Sequence, residues 1–277
     1  MVREGDNDMM DMHTHTAASF DCDAAAEDMA QAALARGLSG FAVTDHADMP
    51  WFWQEHMDVT VERSWDESGA LAREYAGRLT VLRGLELGEP LCDPALARAL
   101  LDARPYDFVL GSVHAVRGEE DYYFWDFAGR DIDETLTRYF DEVRETIAFG
   151  GFHALAHLTY PVRYMPPERR PHSYAPWQDA IDAIFRALIE RGMALEVNTA
   201  GLRSDFGATQ PDEELLRRYY ALGGRAVTVG SDAHRPADMG AGLDEAYALL
   251  RRVGFRTTTV FVGGQAQEIS LETTGQI

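Results

Sequence analysis

Short apolar runs rich in β-branched residues alternate along the chain with longer stretches whose apolar positions recur every three to four residues. A period near two marks a strand and a period near 3.6 an amphipathic helix, so the alternation predicts consecutive βα units. Strands are expected at 8–13, 40–44, 80–85, 107–113, 152–157, 194–198 and 226–230, and helices at 24–36, 61–76, 94–101, 133–149, 177–191, 212–222 and 243–252. Pro94, Pro176 and Pro211 stand where a first helical turn accepts proline, and Gly37, Gly150, Gly192 and Gly223 follow helical stretches as C-terminal caps do. A last run, 257–262, is either an eighth strand or part of an appended hairpin. No repeat, low-complexity tract or long linker interrupts the pattern. Residues 1–277 are therefore expected to form one α/β barrel domain of seven or eight units.

Composition narrows the functions open to such a barrel. Of the 277 residues, 46% are apolar and 26% charged, which excludes wholesale disorder. Acidic residues outnumber basic ones 46 to 25, a formal charge of −21, and every basic residue is Arg. That field repels phosphate backbones and anionic lipid, so broad nucleic-acid or membrane-surface binding is not expected. The absence of Lys excludes Schiff-base chemistry, a P-loop lysine and a lysine base. No apolar run reaches ~18 residues, and the acidic stretch 1–8 lacks a signal-peptide core. Cys22 and Cys92 are too few for a disulfide framework and read as isolated thiols. A cytoplasmic protein is expected.

The candidate chemistry sits in the histidines. Of nine, most close a β-rich run: His13 and His15, His46, His114, His157, and His234 after Asp232. The third run ends instead in Glu86 and Glu89. In a barrel of parallel strands the carboxyl ends share one rim, where function collects. Six strands thus bring an imidazole or a carboxylate to the same mouth, a position that scattered core histidines would not share.

His13 and His15 are two apart, so on an extended strand both rings face one side. Asp232 and His234 repeat the arrangement with one anionic and one neutral donor. Imidazole with carboxylate and no thiolate suits Zn, Mn or Fe. Five or six imidazoles exceed the roughly three protein ligands of a single catalytic ion, so more than one is implied. Glu86, alone at its strand end, is the natural bridge. Paired ions are a common apparatus for displacement at phosphorus, and hydrolysis is favoured over redox chemistry.

These segments resemble the PHP (polymerase and histidinol phosphatase) superfamily, on its histidinol-phosphatase branch. The resemblance rests on Asp-Met-His13-Thr-His15-Thr, Thr-Asp-His46-Ala-Asp, Gly-Leu-Glu86-Leu-Gly, Gly-Ser-Val-His114, Ala-His157-Leu-Thr-Tyr-Pro, Leu-Glu196-Val-Asn-Thr-Ala-Gly-Leu-Arg203 and Gly-Ser-Asp232-Ala-His234, in order over residues 8–234. The branch rests on the His157 and Arg203 segments. The resemblance implies a distorted (β/α)7 barrel with two or three divalent ions (Zn, Mn or Fe). It implies that His13, His15, Glu86 and Asp232 ligate one ion and that Glu86, His114 and His157 ligate a second. Asp21, His46 and His234 would take a third, Asp21 replacing the His of relatives. His153 competes with His157; four residues apart on an extended run, both are expected on one face, with His157 preferred.

A phosphate needs cationic forks as well. Arg203 is the first choice by motif, with Arg163 and Arg117 second because they follow other strand ends. Glu86, Asp232 and Arg203 are the expected catalytic groups. Glu119, Glu120 and Asp121 could meet a substrate ammonium, and the clusters 51–53 and 122–125 could wall the pocket and stack a ring. Tyr160 and Tyr164 could hydrogen-bond near the site, while His56 and His172 read as loop residues without a role. The implied activity is hydrolysis of L-histidinol phosphate to histidinol and phosphate by a monomer or small homo-oligomer. A nucleotide or sugar phosphate remains an alternative substrate, as, further off, does an exonuclease or proofreading module, which the charge disfavours.

Overall fold

The computed structural model describes residues 9–271. The acidic stretch 1–8, including the first residue of the expected first strand, lies outside the described residues. Parallel strands run β1 (Met10–Thr14), β2 (Gly40–Val43), β4 (Thr80–Gly88), β5 (Phe108–Ser112), β6 (Ala154–Leu155), β7 (Ala194–Asn198) and β8 (Val227–Gly230), hydrogen-bonded in that order. A short β3 (His46–Asp48) continues the path of β2 and pairs with the far half of β4. The wall nearly closes: Asp232 N donates to His13 O at 2.8 Å and His15 N to Ala233 O at 2.9 Å, joining the ends of β8 and β1. This is the expected distorted seven-strand α/β barrel.

Helices α1 (Ala26–Ala35), α2 (Met57–Glu74), α3 (Pro94–Ala103), α4 (Ile132–Phe149), α6 (Gln178–Arg191), α7 (Glu213–Ala221) and α8 (Leu243–Val253) fall where the 3.6 period put them. Asp93, Asp131 and Asp212 cap α3, α4 and α7 by accepting from amides three residues on. Two short elements escaped the pattern: β3, and the five-residue α5 (Tyr160–Tyr164), both shorter than one reliable period. Among the described residues no helix is long and apolar enough to cross a membrane.

The run at 257–262 is an arm of a hairpin, not an eighth wall strand. β9 (Thr257–Val262) pairs antiparallel with β10 (Gln265–Ser270) and with nothing else in the sheet. Its Val260 and Phe261, with Ile269, join Met10, Met12, Leu82, Phe108, Leu110 and the alanines 42, 154, 156 and 194 in one buried cluster. The hairpin thus floors the barrel at the amino ends of the strands, and Phe108 and Phe261 stack at 5.4 Å. Apolar side chains fill the amino end of the barrel, and the cleft among the described residues lies at the carboxyl ends. On β1 the register shifts between Asp11 and Thr14, where the chain passes from Met12 in the floor to His13 at the mouth.

Candidate metal centre

Glu86 lies at the middle of the mouth, fully buried on β4. Its Oε2 is 3.2 Å from His13 Nε2, 3.5 Å from His15 Nε2 and 3.2 Å from His46 Nδ1. Its Oε1 is 2.9 Å from His157 Nε2 and 3.2 Å from His114 Nε2. One carboxylate therefore faces five imidazoles delivered by four strand ends, His13 and His15 both from β1. Asp232 closes one side, with Oδ1 3.4 Å from His15 Nε2 and 3.8 Å from His13 Nε2. Further out, Asp21 Oδ2 sits 3.0 Å from His234 Nε2 and 3.6 Å from His46 Nε2. The nine residues expected as ligands are thus assembled around a single cleft.

Local backbone and packing enforce this assembly. His157 and Asp232 both take left-handed conformations, with φ of 48° and 56°, which turn their side chains off the strand ends into the cleft. Such conformations cost non-glycine residues ~1–2 kcal/mol each and persist where surrounding contacts fix them. Gly230, at the end of β8, has no room for a Cβ, because His13 and the Glu196 carboxylate occupy that space. Behind the imidazoles stands a second layer of acids. Glu196 Oε1 meets His13 Nδ1 at 2.6 Å. Ser19 Oγ lies 3.0 Å from His15 Nδ1 and donates to Asp45 at 2.8 Å, and Asp45 also accepts from Thr16 and Ser64. Asp11 accepts from Ser231 and Gly240, tying β1 to the loops after β8.

The side chains alone balance their charge unevenly. Burial raises Glu86, but His13, His46 and His114 outweigh it and hold the carboxyl well below its usual range. Burial likewise opposes charge on His114, yet Asp48, Glu86 and Glu89 push it up to about 10. His15 goes the other way, down to about 3, through burial and the neighbouring His234 and His46. A buried cluster in which imidazoles and carboxylates alternate at contact distance is what cation ligation requires. Several sets of three donor atoms lie within 4.8 Å of one another, among them His13, His15 and Asp232; His13, Glu86 and His157; and His15, His46 and His234. The buried His46 Nδ1, Asp48 Oδ1 and Glu89 Oε2 have no hydrogen-bond partner. Donor type, spacing and unmet polar atoms all fit divalent cations, and no thiol stands among them.

The cleft above measures about 520 Å³, and its walls include Phe20, Tyr123, Phe124, Tyr160, Tyr164 and the three arginines 163, 203 and 235. Arg163 Nη1 is 3.5 Å from Asp232 Oδ2, and Arg203 donates from Nη2 to Asp232 O at 3.2 Å. Of the three acids after His114, only Asp121 reaches the cleft, where the Tyr160 hydroxyl donates to it at 3.1 Å. Glu119 pairs with Arg138 instead.

Some expectations are corrected here. Arg117 does not face the cleft; Glu142 and Glu145 on α4 hold its guanidinium at the surface. Trp51, Phe52 and Trp53 do not wall the cleft, since Phe52 is buried in the outer core and Trp53 is largely exposed. From the cluster 122–125, Tyr123 and Phe124 line the cleft, while Tyr122 and Trp125 pack beneath. His153 sits at the floor, accepting from Val109 N and packing on Phe108 and Phe261, so it does not compete with His157. Shared facing mattered less than strand rise, because four residues at ~3.3 Å each separate the two by the depth of the barrel. Sequence reasoning passed over Phe20 and gave no role to Asp45, Asp48, Glu89 or Glu196, although Asp45, Asp48 and Glu196 stand in the motif segments and Glu89 closes the third run. Adjacency to Asp21 and His46 was a usable signal for Phe20, Asp45 and Asp48.

A model of the PHP domain matches residues 11–200. The histidinol-phosphatase of Lactococcus lactis subsp. lactis (strain IL1403) is 28% identical over 259 residues, covering 92% of this chain and 94% of its own. The probable histidinol-phosphatase of Deinococcus radiodurans is 31% identical over 257 residues, covering 91% and 96%. A crystal structure of the Lactococcus lactis histidinol phosphate phosphatase, complexed with zinc, L-histidinol and phosphate, superposes with a TM-score of 0.76 at 24% identity, covering 95% of this chain and all of that one. That likeness establishes the fold, and the family match spans more than half the sequence. The chain belongs to the PHP domain family, on its histidinol-phosphatase branch.

Proposed function

We propose that residues 1–277 act as one barrel domain that hydrolyses L-histidinol phosphate to histidinol and inorganic phosphate with two or three divalent cations. The observation that carries the reading is Glu86 with five imidazoles at 2.9–3.5 Å beneath a cleft bordered by Arg163 and Arg203 among other residues. Full-length relatives named for this activity support the substrate. His13, His15, Glu86 and Asp232 would hold one cation, Glu86, His114 and His157 a second, and Asp21, His46 and His234 a third. Zinc, manganese or iron suits this donor set. Bound there, such ions supply Lewis acidity toward the phosphoryl oxygens and activation of the attacking water.

The chain's own residues do the rest. Arg163 and Arg203 present guanidinium forks that match the phosphoryl oxygens and neutralise charge spreading over them. The carbonyl of Asp232 aims the Arg203 fork, and the carboxylate of Asp232 aims that of Arg163. Asp121 supplies an anion for the substrate ammonium. Phe20, Tyr123 and Phe124 offer faces for the imidazole ring. Glu196 and Ser19 orient His13 and His15 through their Nδ1 atoms, which leaves Nε2 free to ligate. We place the enzyme in the cytoplasm as a monomer or small homo-oligomer acting on a small molecule, since −21 charge and no Lys oppose a nucleic-acid substrate.

Phosphate release by the protein supplied with Zn, Mn or Fe tests the reading. We expect kcat/KM for L-histidinol phosphate to exceed that for nucleotides and sugar phosphates by about 100-fold, as matched polar contacts allow. A folded, metal-loaded protein that leaves histidinol phosphate intact overturns the assignment.

A further inference from the structure

Asp48 is fully buried at the end of β3, yet it is neither an expected ligand nor part of a surface ion pair. Its two oxygens face two different imidazoles. Oδ2 is 3.4 Å from His46 Nδ1, and Oδ1 is 3.7 Å from His114 Nδ1. Each ring turns its other nitrogen to a different part of the cluster. His46 Nε2 faces Asp21 at 3.6 Å on the outer side, and His114 Nε2 faces Glu86 at 3.2 Å on the inner side. The separations behind the rings are contacts, not hydrogen bonds, and both Asp48 Oδ1 and His46 Nδ1 lack any hydrogen-bond partner. His46 Nδ1 also lies 3.2 Å from Glu86, a carboxylate already shared among four other imidazoles.

The backbone keeps this place for Asp48. In the β3–β4 register Asp48 pairs with Gly88, and a Cβ on Gly88 would collide with the Asp48 carboxylate. The neighbouring Glu89 accepts from the backbone amides of His114 and Ala115, fixing the strand end that carries the second ring. Its Oε1 lies 3.7 Å from His114 Nδ1, as Asp48 Oδ1 does, so that of the two acids behind this ring only Asp48 also faces His46. An imidazole that ligates through Nε2 carries its proton on Nδ1, and an anion facing that proton sets the ring's orientation and strengthens it as a donor.

We propose that Asp48 is a positioning residue that holds His46 and His114 together, so that a single carboxylate supports cation binding at both the outer and the inner part of the centre. This rests on the metal-binding part of the function proposed above and is independent of the substrate.

The test is stepwise metal affinity of the full-length protein, measured for Zn by competition with a chromophoric chelator, together with ion stoichiometry by elemental analysis and the melting temperature of the chelated protein. Asp48→Asn should weaken at least two binding steps by about 10–100-fold, the usual loss when such a partner is removed. Stoichiometry at saturating Zn should stay equal to wild type, and the chelated protein should melt as wild type does. Gly88→Ala displaces the carboxylate without deleting it and should weaken the same steps by a smaller factor. Unchanged affinity in both variants overturns the proposal. So does loss of one whole ion at saturation, which would make Asp48 a direct ligand, or a shift confined to one step. A wild-type protein that takes up no ions sinks the metal reading itself, whereas a wild type that binds ions but spares histidinol phosphate leaves this proposal standing.

Discussion

Replacing Arg163 with Met removes a guanidinium whose side chain is 23% exposed and whose Nη1 stands 3.5 Å from Asp232. Methionine keeps the length and the packing on Tyr164, over whose ring the guanidinium carbon lies at 5.3 Å, but removes the charge and the fork. A charge-assisted hydrogen bond to phosphate is worth about 1.5–3 kcal/mol. A bidentate contact lies toward the upper end, and partial exposure lowers it, giving about 2–3 kcal/mol here. At about 1.4 kcal/mol per tenfold, kcat/KM for histidinol phosphate should fall by about 30–150-fold. Lysine restores the charge but not the planar fork, so Arg163→Lys should recover only part, ending about 5–10-fold below wild type. Steady-state assays at fixed saturating metal separate the two parameters. A loss shared by kcat and kcat/KM means the contact tightens on the way to the transition state; a rise in KM alone means ground-state binding. An Arg163→Met variant within threefold of wild type in both would refute the role given to this arginine.

Three further substitutions probe other parts of the structure. Asp121→Asn should lower the preference for histidinol phosphate over an ester lacking an ammonium by about 5–30-fold, read as a ratio of kcat/KM values; equal losses on both esters would contradict ammonium recognition. Phe261→Ala, in the hairpin that floors the barrel, should cost about 3–5 kcal/mol and lower Tm by about 6–20 °C by calorimetry. Its metal content should be unchanged, and a Tm within 2 °C of wild type would show that the floor contributes little. Arg117→Ala should leave kcat/KM within about twofold, since its partners are the buried Glu142 and the exposed Glu145 of α4, outside the cleft; a larger loss would return Arg117 to the site.

Much of this site was legible in the sequence because a parallel barrel converts linear spacing into one spatial fact. A residue just past a strand lies on the same rim as every other such residue, so His13, His46, Glu86, His114, His157 and Asp232 could be grouped without knowing any distance. What stayed hidden depended on depth, on loops and on partners distant in sequence. His153 and His157 differ in height along a strand, which periodicity does not report. Arg117 follows a strand end as Arg163 does, and only the acids of α4, far along the chain, draw it aside. Glu196 was visible in its motif, but its hydrogen bond to His13 passes over Gly230 of β8 to join β7 to β1, residues 183 positions apart. β3 and α5 are too short for any pattern of burial to recur.

The central claim is that this cluster works by holding cations. Elemental analysis of protein prepared without added metal, paired with phosphate release before and after chelation, tests it most directly. Two or three ions per chain, with histidinol phosphate hydrolysis abolished by the chelator and restored by Zn, Mn or Fe, is the predicted result. Full activity in a folded chain stripped of metal would contradict it.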